Sequence, residues 1–254
     1  MSEPTQPNAA RIYDYLLGGS HHFPVDRAAA ERLRAVAPTI PNVMRLNRWF
    51  MHDVTDRLAN QGFNSYIDLA TGLPTEGYLH ELAPHARILY NDLDPTTVAY
   101  GREILGNNPN VFYDHQDIRS IEGVLAKADT WLNGERHVGV MFVGVAYFLN
   151  DDEVRHILQA LYQWCAPGSQ LAISWILGDM AVPAMKATVE LYARMGTAIH
   201  VRTAETVSQL VSDWQVLEPG LLPLLDWLKT DGLDLPAGYD SSQGEIVGMM
   251  LQRP

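Results

Sequence analysis

The chain contains the stretch Tyr66-Ile67-Asp68-Leu69-Ala70-Thr71-Gly72-Leu73-Pro74-Thr75 and, further along, Ile88-Leu89-Tyr90-Asn91-Asp92-Leu93-Asp94-Pro95. Each begins as a short apolar run; the first breaks at a glycine and the second ends in a carboxylate. Doubly wound α/β proteins use this order of parts to hold an adenosyl group. Gly72 lets the backbone approach a ligand closely, and Asp92 can accept hydrogen bonds from both hydroxyls of a ribose. Together the two stretches predict a nucleoside-binding crevice.

The glycine pattern separates two classes of ligand. A dinucleotide site requires the order G-x-G-x-x-G, because a pyrophosphate must lie against a glycine-lined helix N-terminus. This loop has Gly72 and Gly77 with Pro74 between them, which leaves no evident cradle for an anion. A nucleoside without phosphates is therefore favoured over NAD or ATP, and S-adenosylmethionine (SAM) fits that description.

Length and composition exclude several other classes of protein. The chain has 254 residues, of which 47% are hydrophobic, so it can bury one full core with an appendage. Its longest apolar run, Val138 to Leu149, is too short to cross a membrane and predicts a buried strand. Residues Met1 to Ala10 lack the basic and apolar parts of a secretory signal, which predicts a cytoplasmic location. Cys165 is the only cysteine, so an intrachain disulfide and a cysteine-rich metal site are excluded.

The net charge of −12 argues against nucleic acid as a partner, because binding phosphates requires a basic surface. The charge is unevenly distributed. Residues 1–50 hold six arginines and no lysine against four acidic residues, a balance of +2, which leaves −14 for the remainder. Two interpretations stay open: the N-terminal segment docks partly by charge onto an acidic body, or it presents a solvated helical face.

Residues 1–61 are predicted to form a helical cap or lid, and residues 62–254 a core, within one structural domain overall. Apolar residues spaced three or four apart, with glycine and proline breaks between them, delimit the helices of the cap. These helices are predicted at Ala9–Leu17, Asp26–Val36 and Asn42–Asn60. The loop from Gly18 to Pro24 separates the first two.

The core alternates strands and helices, as a parallel α/β sheet with crossover helices does. Asn150 and Glu153 form a capping-box pattern that predicts the start of one helix. The last two strands are predicted to pair as an antiparallel hairpin. After the two quoted strands, the predicted elements are strands at Asn110–Tyr113, Val138–Ala146 and Gln170–Ile176, helices over Pro183–Met195 and Ala204–Asp213, and the final strands Trp214–Leu217 and Gly244–Leu251.

Several motifs are shared with a known family: Ala10-Arg11-Ile12-Tyr13-Asp14-Tyr15-Leu16-Leu17-Gly18-Gly19, Phe23 with Asp26-Arg27, Asn47-Arg48, residues 68–75 and residues 92–95. On these the chain resembles the actinobacterial-type family of SAM-dependent methyltransferases once catalogued as a domain of unknown function. The resemblance covers nearly the whole length. It implies a Rossmann-like class I methyltransferase sheet, mostly parallel, with an N-terminal helical cap. It also implies SAM as the cofactor and methyl transfer to a small-molecule acceptor, in specialised metabolism.

Carried over by position, the resemblance also implies how SAM is bound. The implied contacts are Asp68, Ala70, Thr71 and Gly72 for the methionine part, Asp92 beside Leu93 for the ribose, Asp117 and Ile118 for the adenine, and Val143 and Gly144 near the sulfonium. Two alternatives stay open. Asp68 could instead serve backbone donors at the end of its strand, and Asp117 could be a turn or cap residue, with Asp114 as a nearby competitor for the adenine.

Methyl transfer chiefly needs an acceptor aligned with the methyl group and water excluded. A base becomes important when the acceptor must lose a proton, and the candidate bases are His21, His22 and Asp26 in the loop of the cap. The family commonly has Asp-Asn or His-Asn at the histidine pair, and a structural or substrate-shaping role for the pair stays open. A metal site built from these three residues is disfavoured, because adjacent histidines rarely point to one centre.

Aromatic side chains on the cap or near strand ends could bind an apolar or planar acceptor, or attract the sulfonium cation. The pocket is favoured for Tyr13 as a cofactor contact and for Tyr147 as a candidate catalytic residue. Ordinary core packing is favoured for Tyr15 and Phe148. The full set is Tyr13, Tyr15, Phe23, Tyr147, Phe148 and Trp175.

Two other functions stay open on the sequence. One is a SAM-binding protein that transfers no methyl group and acts as a cyclase, a regulator or a partner subunit, since a fold does not fix a function. The other, disfavoured by the missing glycines, is an NAD-dependent enzyme. A homodimer is compatible with the sequence, and the segment Trp227 to Tyr239 is interpreted as either a substrate-side loop or a dimer contact. The acceptor atom, whether oxygen, nitrogen or carbon, is left open.

Overall fold

The computed structural model describes residues 4–75, 77–228 and 245–254. The N-terminal helices are α1 (Ala9–Leu17), α2 (Pro24–Val36) and α3 (Ile40–Asn60). The bounds of α1 are as predicted, because Asn8 caps its first turn and Gly18, at φ 88°, ends it in the left-handed conformation. Both α2 and α3 begin two residues earlier than predicted, since each has a proline in its first turn, where the missing N–H costs no hydrogen bond.

The strands are β1 (Ser65–Asp68), β2 (Arg87–Asp92), β3 (Val111–His115), β4 (Gly139–Phe142), β5 (Gln170–Leu177), β6 (Gln215–Val216), β7 (Leu222–Pro223) and β8 (Glu245–Gln252). They form one mixed sheet in the order β3-β2-β1-β4-β5-β8-β6, with β7 also paired to β8. Strands β1 to β5 are parallel, and β8 is antiparallel to its neighbours. The strand order reverses between β1 and β4, which is where such sheets bind ligands.

Helices cover both faces of the sheet. One face packs against α6 (Ile121–Trp131), α7 (Asp151–Trp164) and α9 (Ala204–Leu210). The other packs against α3 together with α4 (Leu79–Leu82), α5 (Pro95–Leu105) and α10 (Leu224–Trp227). A third apolar cluster joins α1 and α2 to α8 (Pro183–Arg194) and to the start of α3. Helix α3 therefore packs on the sheet itself, whereas α1 and α2 pack beside it against α8.

The predicted fourth strand, Val138–Ala146, is wrong at its carboxyl end. Strand β4 stops at Phe142, and Gly144 adopts φ 78°, which only glycine takes up readily. The Gly144 N–H donates to Ser174 Oγ at 2.8 Å instead of to a neighbouring strand. A short 3₁₀ helix, Ala146–Phe148, follows. The chain thus turns away from the sheet just beyond β4.

The antiparallel pairing of the C-terminal strands is confirmed, with Val216 opposite Leu251, although β6 is only two residues long. The predicted capping box that starts α7 is also confirmed. The segment 227–239 lies outside the described residues beyond Leu228. Trp227 itself is buried, packs edge-on against Phe50 and donates from its indole nitrogen to Asp53. Within the described ranges, no helix combines the length and the apolar composition that a bilayer crossing requires.

Candidate functional site

A cavity of about 650 Å³ lies at the carboxyl ends of β1, β2 and β4, beneath α1. Its size is ordinary for a small-molecule site. The structure brings to its wall all the residues predicted to contact the cofactor, and Tyr147 as well. They are Tyr13, Asp68, Ala70, Thr71, Gly72, Asp92, Leu93, Asp117, Ile118, Val143 and Gly144.

The loop after β1 is shaped by two residues with positive φ. Ala70 has φ 52°, which is uncommon for a residue with a side chain, and Gly72 has φ 68°. A Cβ added to Gly72 would lie 3.2 Å from the Cβ of Ala10 on α1. Glycine at this position therefore serves both the turn and the close approach of the N-terminal helix, which covers the cavity.

Asp92, at the end of β2, holds this loop in place. Its Oδ2 accepts from the Gly72 N–H at 3.0 Å, and its Oδ1 accepts from the Asp94 N–H at 2.9 Å. Burial raises the pKa of Asp92 to about 6, and these backbone N–H groups oppose that rise by stabilising the charge. Each oxygen keeps a lone pair for a further donor, such as a hydroxyl on a ligand in the cavity.

Asp68, at the end of β1, is buried, and its Oδ2 has no hydrogen-bond partner among the described residues. Burial raises the pKa of Asp68 to about 7, while the hydroxyl of Thr71 and the charge of Arg48 oppose the rise. If Asp68 served only backbone N–H donors at the end of its strand, its Oδ2 would still lack a hydrogen-bond partner. A buried carboxylate oxygen is normally paired, so this one lacks the partner that a cation or donor in the cavity would supply.

A second polar side chain on the same cavity wall is incompletely paired. Asn47, on α3, is 1% exposed, and its amide interacts with the Tyr147 hydroxyl but has no hydrogen-bond partner of ordinary geometry in the described chain. A Cβ added to Gly144 would lie 3.7 Å from both the Asn47 amide nitrogen and the Tyr147 hydroxyl, so the three groups meet. An amide that is shielded from water and unpaired is costly unless a ligand completes its hydrogen bonds.

Arg48 places a positive charge beside these groups. Its guanidinium carbon lies 4.1 Å from the centre of the Tyr78 ring and 5.8 Å from that of Tyr13, distances typical of cation–π contacts. Tyr13 is fixed in turn, because its hydroxyl donates to the Met44 carbonyl at 2.7 Å. Burial raises the pKa of Tyr13 to about 12, so the ring stays neutral. The wall therefore carries an acid, an amide and a guanidinium side by side.

At the other end of the cavity, Asp117 and Ile118 lie near Leu93, whose side chain is 54% exposed. Asp117 forms an ion pair with Arg119 at 2.6 Å, and this contact is the main cause that lowers the pKa of Asp117. Its carboxylate also accepts from the Arg119 N–H, so the predicted cap role is present as well as the position in the cavity. Asp114 is not among the residues that line the cavity.

An ion-pair network attaches α1 to the Asp92 loop. The guanidinium of Arg11, which is buried, contacts Asp26 at 2.8 Å and Asp94 at 3.0 Å. Asp94 also caps the first turn of α5, through the Thr97 N–H. These contacts fix the helix that covers the cavity relative to the loop beneath it.

The structure does not bring the predicted bases into the cavity. His22 donates from Nε2 to the Gly19 carbonyl and accepts from Arg27 at Nδ1, so both ring nitrogens are engaged. His21 donates its backbone N–H to Asp14, and neither histidine lines the cavity. Asp26 is committed to Arg11 and to backbone N–H groups. Among the described residues no group of three metal-binding side chains occurs.

Sequence reasoning missed several cavity residues: Met44, Asn47, Arg48, Tyr192 and His200. One signal was available, because Asn47 interrupts the apolar face that Val43, Leu46, Phe50 and Val54 form on α3. Arg48 follows Asn47 in one of the motifs shared with the family, whereas Met44, Tyr192 and His200 carry no local signal. Of the predicted aromatic residues, Phe148 also lines the cavity, while Trp175 is fully buried and does not.

Comparisons with known proteins agree with this geometry. Residues 3–250 match the family described as S-adenosyl methyltransferase. A candidate methyltransferase from Thermobifida fusca is 28% identical, with a TM-score of 0.86 over 97% of this chain and 95% of that one. A DUF574 family protein from Streptomyces avermitilis is 25% identical, with a TM-score of 0.86 over 98% of both chains. A comparison with curated proteins finds no match.

A more distant likeness bears on the fold alone. Magnesium protoporphyrin IX methyltransferase from Synechocystis, solved with S-adenosylhomocysteine (SAH), is 11% identical, with a TM-score of 0.57 over 96% of this chain and 93% of that one. The family match covers nearly the whole sequence, including the loop after β1 and the acid at the end of β2. The chain therefore belongs to the S-adenosyl methyltransferase family, whose cofactor is SAM.

Proposed function

We propose that the cavity binds SAM in an extended pose across the ends of β1, β2 and β4, and that the chain transfers the methyl group of SAM to a small-molecule acceptor. The observation that carries this proposal is the wall formed by Asp68, Asn47 and Arg48. Two of its members are buried with unpaired polar atoms, and the third is a cation.

This wall complements the methionine end of SAM, which carries an ammonium and a carboxylate. The ammonium is placed against Asp68 Oδ2, with the Asn47 amide oxygen as a second acceptor. The carboxylate is placed against Arg48, with the Asn47 amide nitrogen as a further donor. An amide is suited to this position because it offers an acceptor and a donor at once.

The adenosine end lies toward Asp92 and Asp117. The Asp92 carboxylate accepts from nearby backbone N–H groups and has capacity left for the ribose hydroxyls. Leu93 and Ile118 supply apolar surface for the adenine ring, and Asp117 an acceptor for its exocyclic amine. The glycine pattern of the loop after β1 offers no site for phosphates, and SAM contains none.

When bound, SAM supplies an activated methyl group at its sulfonium, so the protein's task is to align the acceptor and exclude water. Helix α1 covers the cavity and so helps to exclude water from it. The acceptor is placed beside Tyr147, Phe148 and Tyr192, whose rings favour an apolar or planar molecule. Burial raises the pKa of Tyr147 well above its ordinary value, so its hydroxyl acts as a hydrogen-bond donor and not as a base. Among the described residues that line the cavity, His200 is the only histidine.

The family resemblance extends the proposal to an enzyme of specialised metabolism, and a cytoplasmic location stays a prediction from the composition of residues 1–10. A homodimer, the absence of a nucleic-acid partner and the domain boundary near residue 61 stay predictions from the sequence.

The proposal is tested by comparing SAH with methylthioadenosine, which lacks the amino-acid end. Asn47→Leu and Asp68→Asn each remove hydrogen bonds to a charged group, so SAH should bind about 10- to 100-fold more weakly while methylthioadenosine binds unchanged. Asp92→Ala should weaken both ligands. Asp56→Ala, at an exposed position on α3, is the matched control. Equal losses for both ligands in Asn47→Leu would contradict the proposed orientation.

A further inference from the structure

A second, smaller cavity of about 90 Å³ adjoins the main one. It lies among the end of α2, the start of α3, the end of β5, α8 and the start of β8. Met44, Tyr147 and Tyr192 line both cavities. These three side chains therefore form the wall between the two spaces, on the side where the acceptor is placed.

The lining of the smaller cavity is mostly aliphatic. Its apolar side chains include Ile40, Val43, Ile176, Met185, Ile199 and Ile246. Such a surface gains free energy by contacting carbon in place of water.

The described lining also includes Glu245. Burial, and then the nearby charge of Asp226, raise the pKa of Glu245, which indicates that negative charge is already unfavourable there. A ligand group that carried a second carboxylate would be repelled. Glu245 therefore disfavours an anionic occupant, and the aliphatic side chains around it disfavour any charged group, since burying a charge without a partner is costly.

The volume limits the size of that occupant. An apolar cavity of about 150 Å³ holds a benzene ring, so one of about 90 Å³ holds a smaller group, on the order of three or four carbon atoms. Met44 stands in the dividing wall, and a methionine side chain changes shape readily. A rotamer change of Met44 is thus a simple way to join the two spaces when a ligand extends across them.

We propose that the smaller cavity is a tail site for the methyl acceptor, which takes a short uncharged aliphatic group, such as an isopropyl group, while the reacting end of the acceptor lies in the main cavity beside Tyr147. This inference rests on the proposed function and names the class of acceptor: a small, largely apolar molecule with an aliphatic branch.

The test uses the SAH-saturated protein and a graded set of probes: phenol, para-cresol, para-isopropylphenol and para-hexylphenol. Their affinities are measured by calorimetry. Each added carbon that enters the tail site should tighten binding about fourfold, up to the isopropyl group, and the hexyl chain should gain nothing further. Val43→Phe should remove the gain without changing the affinity for phenol or SAH, because Val43 lines only the smaller cavity.

Two further variants make the result specific. Ile199→Ala enlarges the smaller cavity without touching the main one, so the preferred chain should become longer. His52→Phe, at an exposed position on α3, is the control and should leave the series unchanged. Equal binding of all four probes by the wild type, binding of none, or an equal loss for all four in Val43→Phe would overturn the tail site. Failure of the wild type to bind SAH would instead overturn the proposed function on which the tail site rests.

Discussion

Cofactor binding should weaken in acid because Asp68 is proposed to bind the ammonium of SAM as a carboxylate. Burial raises the pKa of this group to about 7, so in the free protein it is largely protonated below that pH. The ammonium favours the ionised form, and binding must therefore release a proton in acid. The dissociation constant for SAH should rise about tenfold for each pH unit below 7, or about a hundredfold at pH 5 compared with pH 8.

Protonation of Asp92 should also weaken SAH binding in acid, but by less than protonation of Asp68. The Asp92 pKa of about 6 places its protonation one unit lower, which adds at most about a further tenfold at pH 5. Asp68→Asn should therefore bind SAH more weakly at pH 8 and should keep only the shallower dependence, which begins near pH 6. Methylthioadenosine, which lacks the ammonium, should show that shallow dependence even with the wild type.

The assay is calorimetric titration of SAH across this pH range, in pairs of buffers with different protonation enthalpies, so that proton release is counted directly. Near pH 6 about 0.9 of a proton should be released from Asp68 and at most about 0.5 from Asp92, and almost none at pH 8. A constant affinity from pH 5 to pH 8 in a protein shown to be folded would refute the reasoning. An unchanged pH slope in Asp68→Asn would show that another group is responsible.

Three further substitutions have expected outcomes. Tyr147→Ala should lower turnover more than SAM affinity, because its ring is placed beside the acceptor; kinetics with calorimetry check this, and equal losses would reassign the residue to cofactor binding or folding. Arg11→Met should destabilise the fold by about 3–5 kcal/mol in denaturant unfolding, because it leaves Asp26 charged, fully buried and without its cation; a change in midpoint no larger than that of an exposed arginine variant would contradict this. Gly72→Ala should cost about 1–2 kcal/mol from the left-handed backbone alone and should weaken SAM binding by displacing α1; unchanged stability and affinity would contradict the close approach to Ala10.

The sequence predicted those parts of the site that belong to local patterns. The strand, the glycine turn and the acid at the end of the next strand are close in sequence, and their order has one established geometry in doubly wound sheets. For that reason Gly72 and Asp92 could be placed on the cavity wall in advance. The bounds of α1 were predictable for a similar reason, since an asparagine cap and a terminal glycine mark them.

The remaining parts depend on contacts between distant segments. Tyr192 and His200 reach the cavity because α8 and the chain after it pack beside α1 and α2, which no local pattern indicates. The histidine pair was a reasonable candidate base by residue type, but its loop is held by Asp14, Gly19 and Arg27 away from the cavity. The overlong fourth strand had a similar cause, because an apolar run does not show that the Gly144 N–H donates to the Ser174 side chain instead of to a neighbouring strand.

The cavity at the carboxyl ends of β1, β2 and β4 is proposed to bind SAM and not a dinucleotide. The most direct test of this claim is calorimetric titration of SAM, SAH and NAD into the wild type and into Asp92→Ala. We predict micromolar binding of SAM and SAH to the wild type, loss of that binding in the variant, and no binding of NAD. Absence of SAM and SAH binding to the folded wild type, or equal binding by Asp92→Ala, would contradict the account.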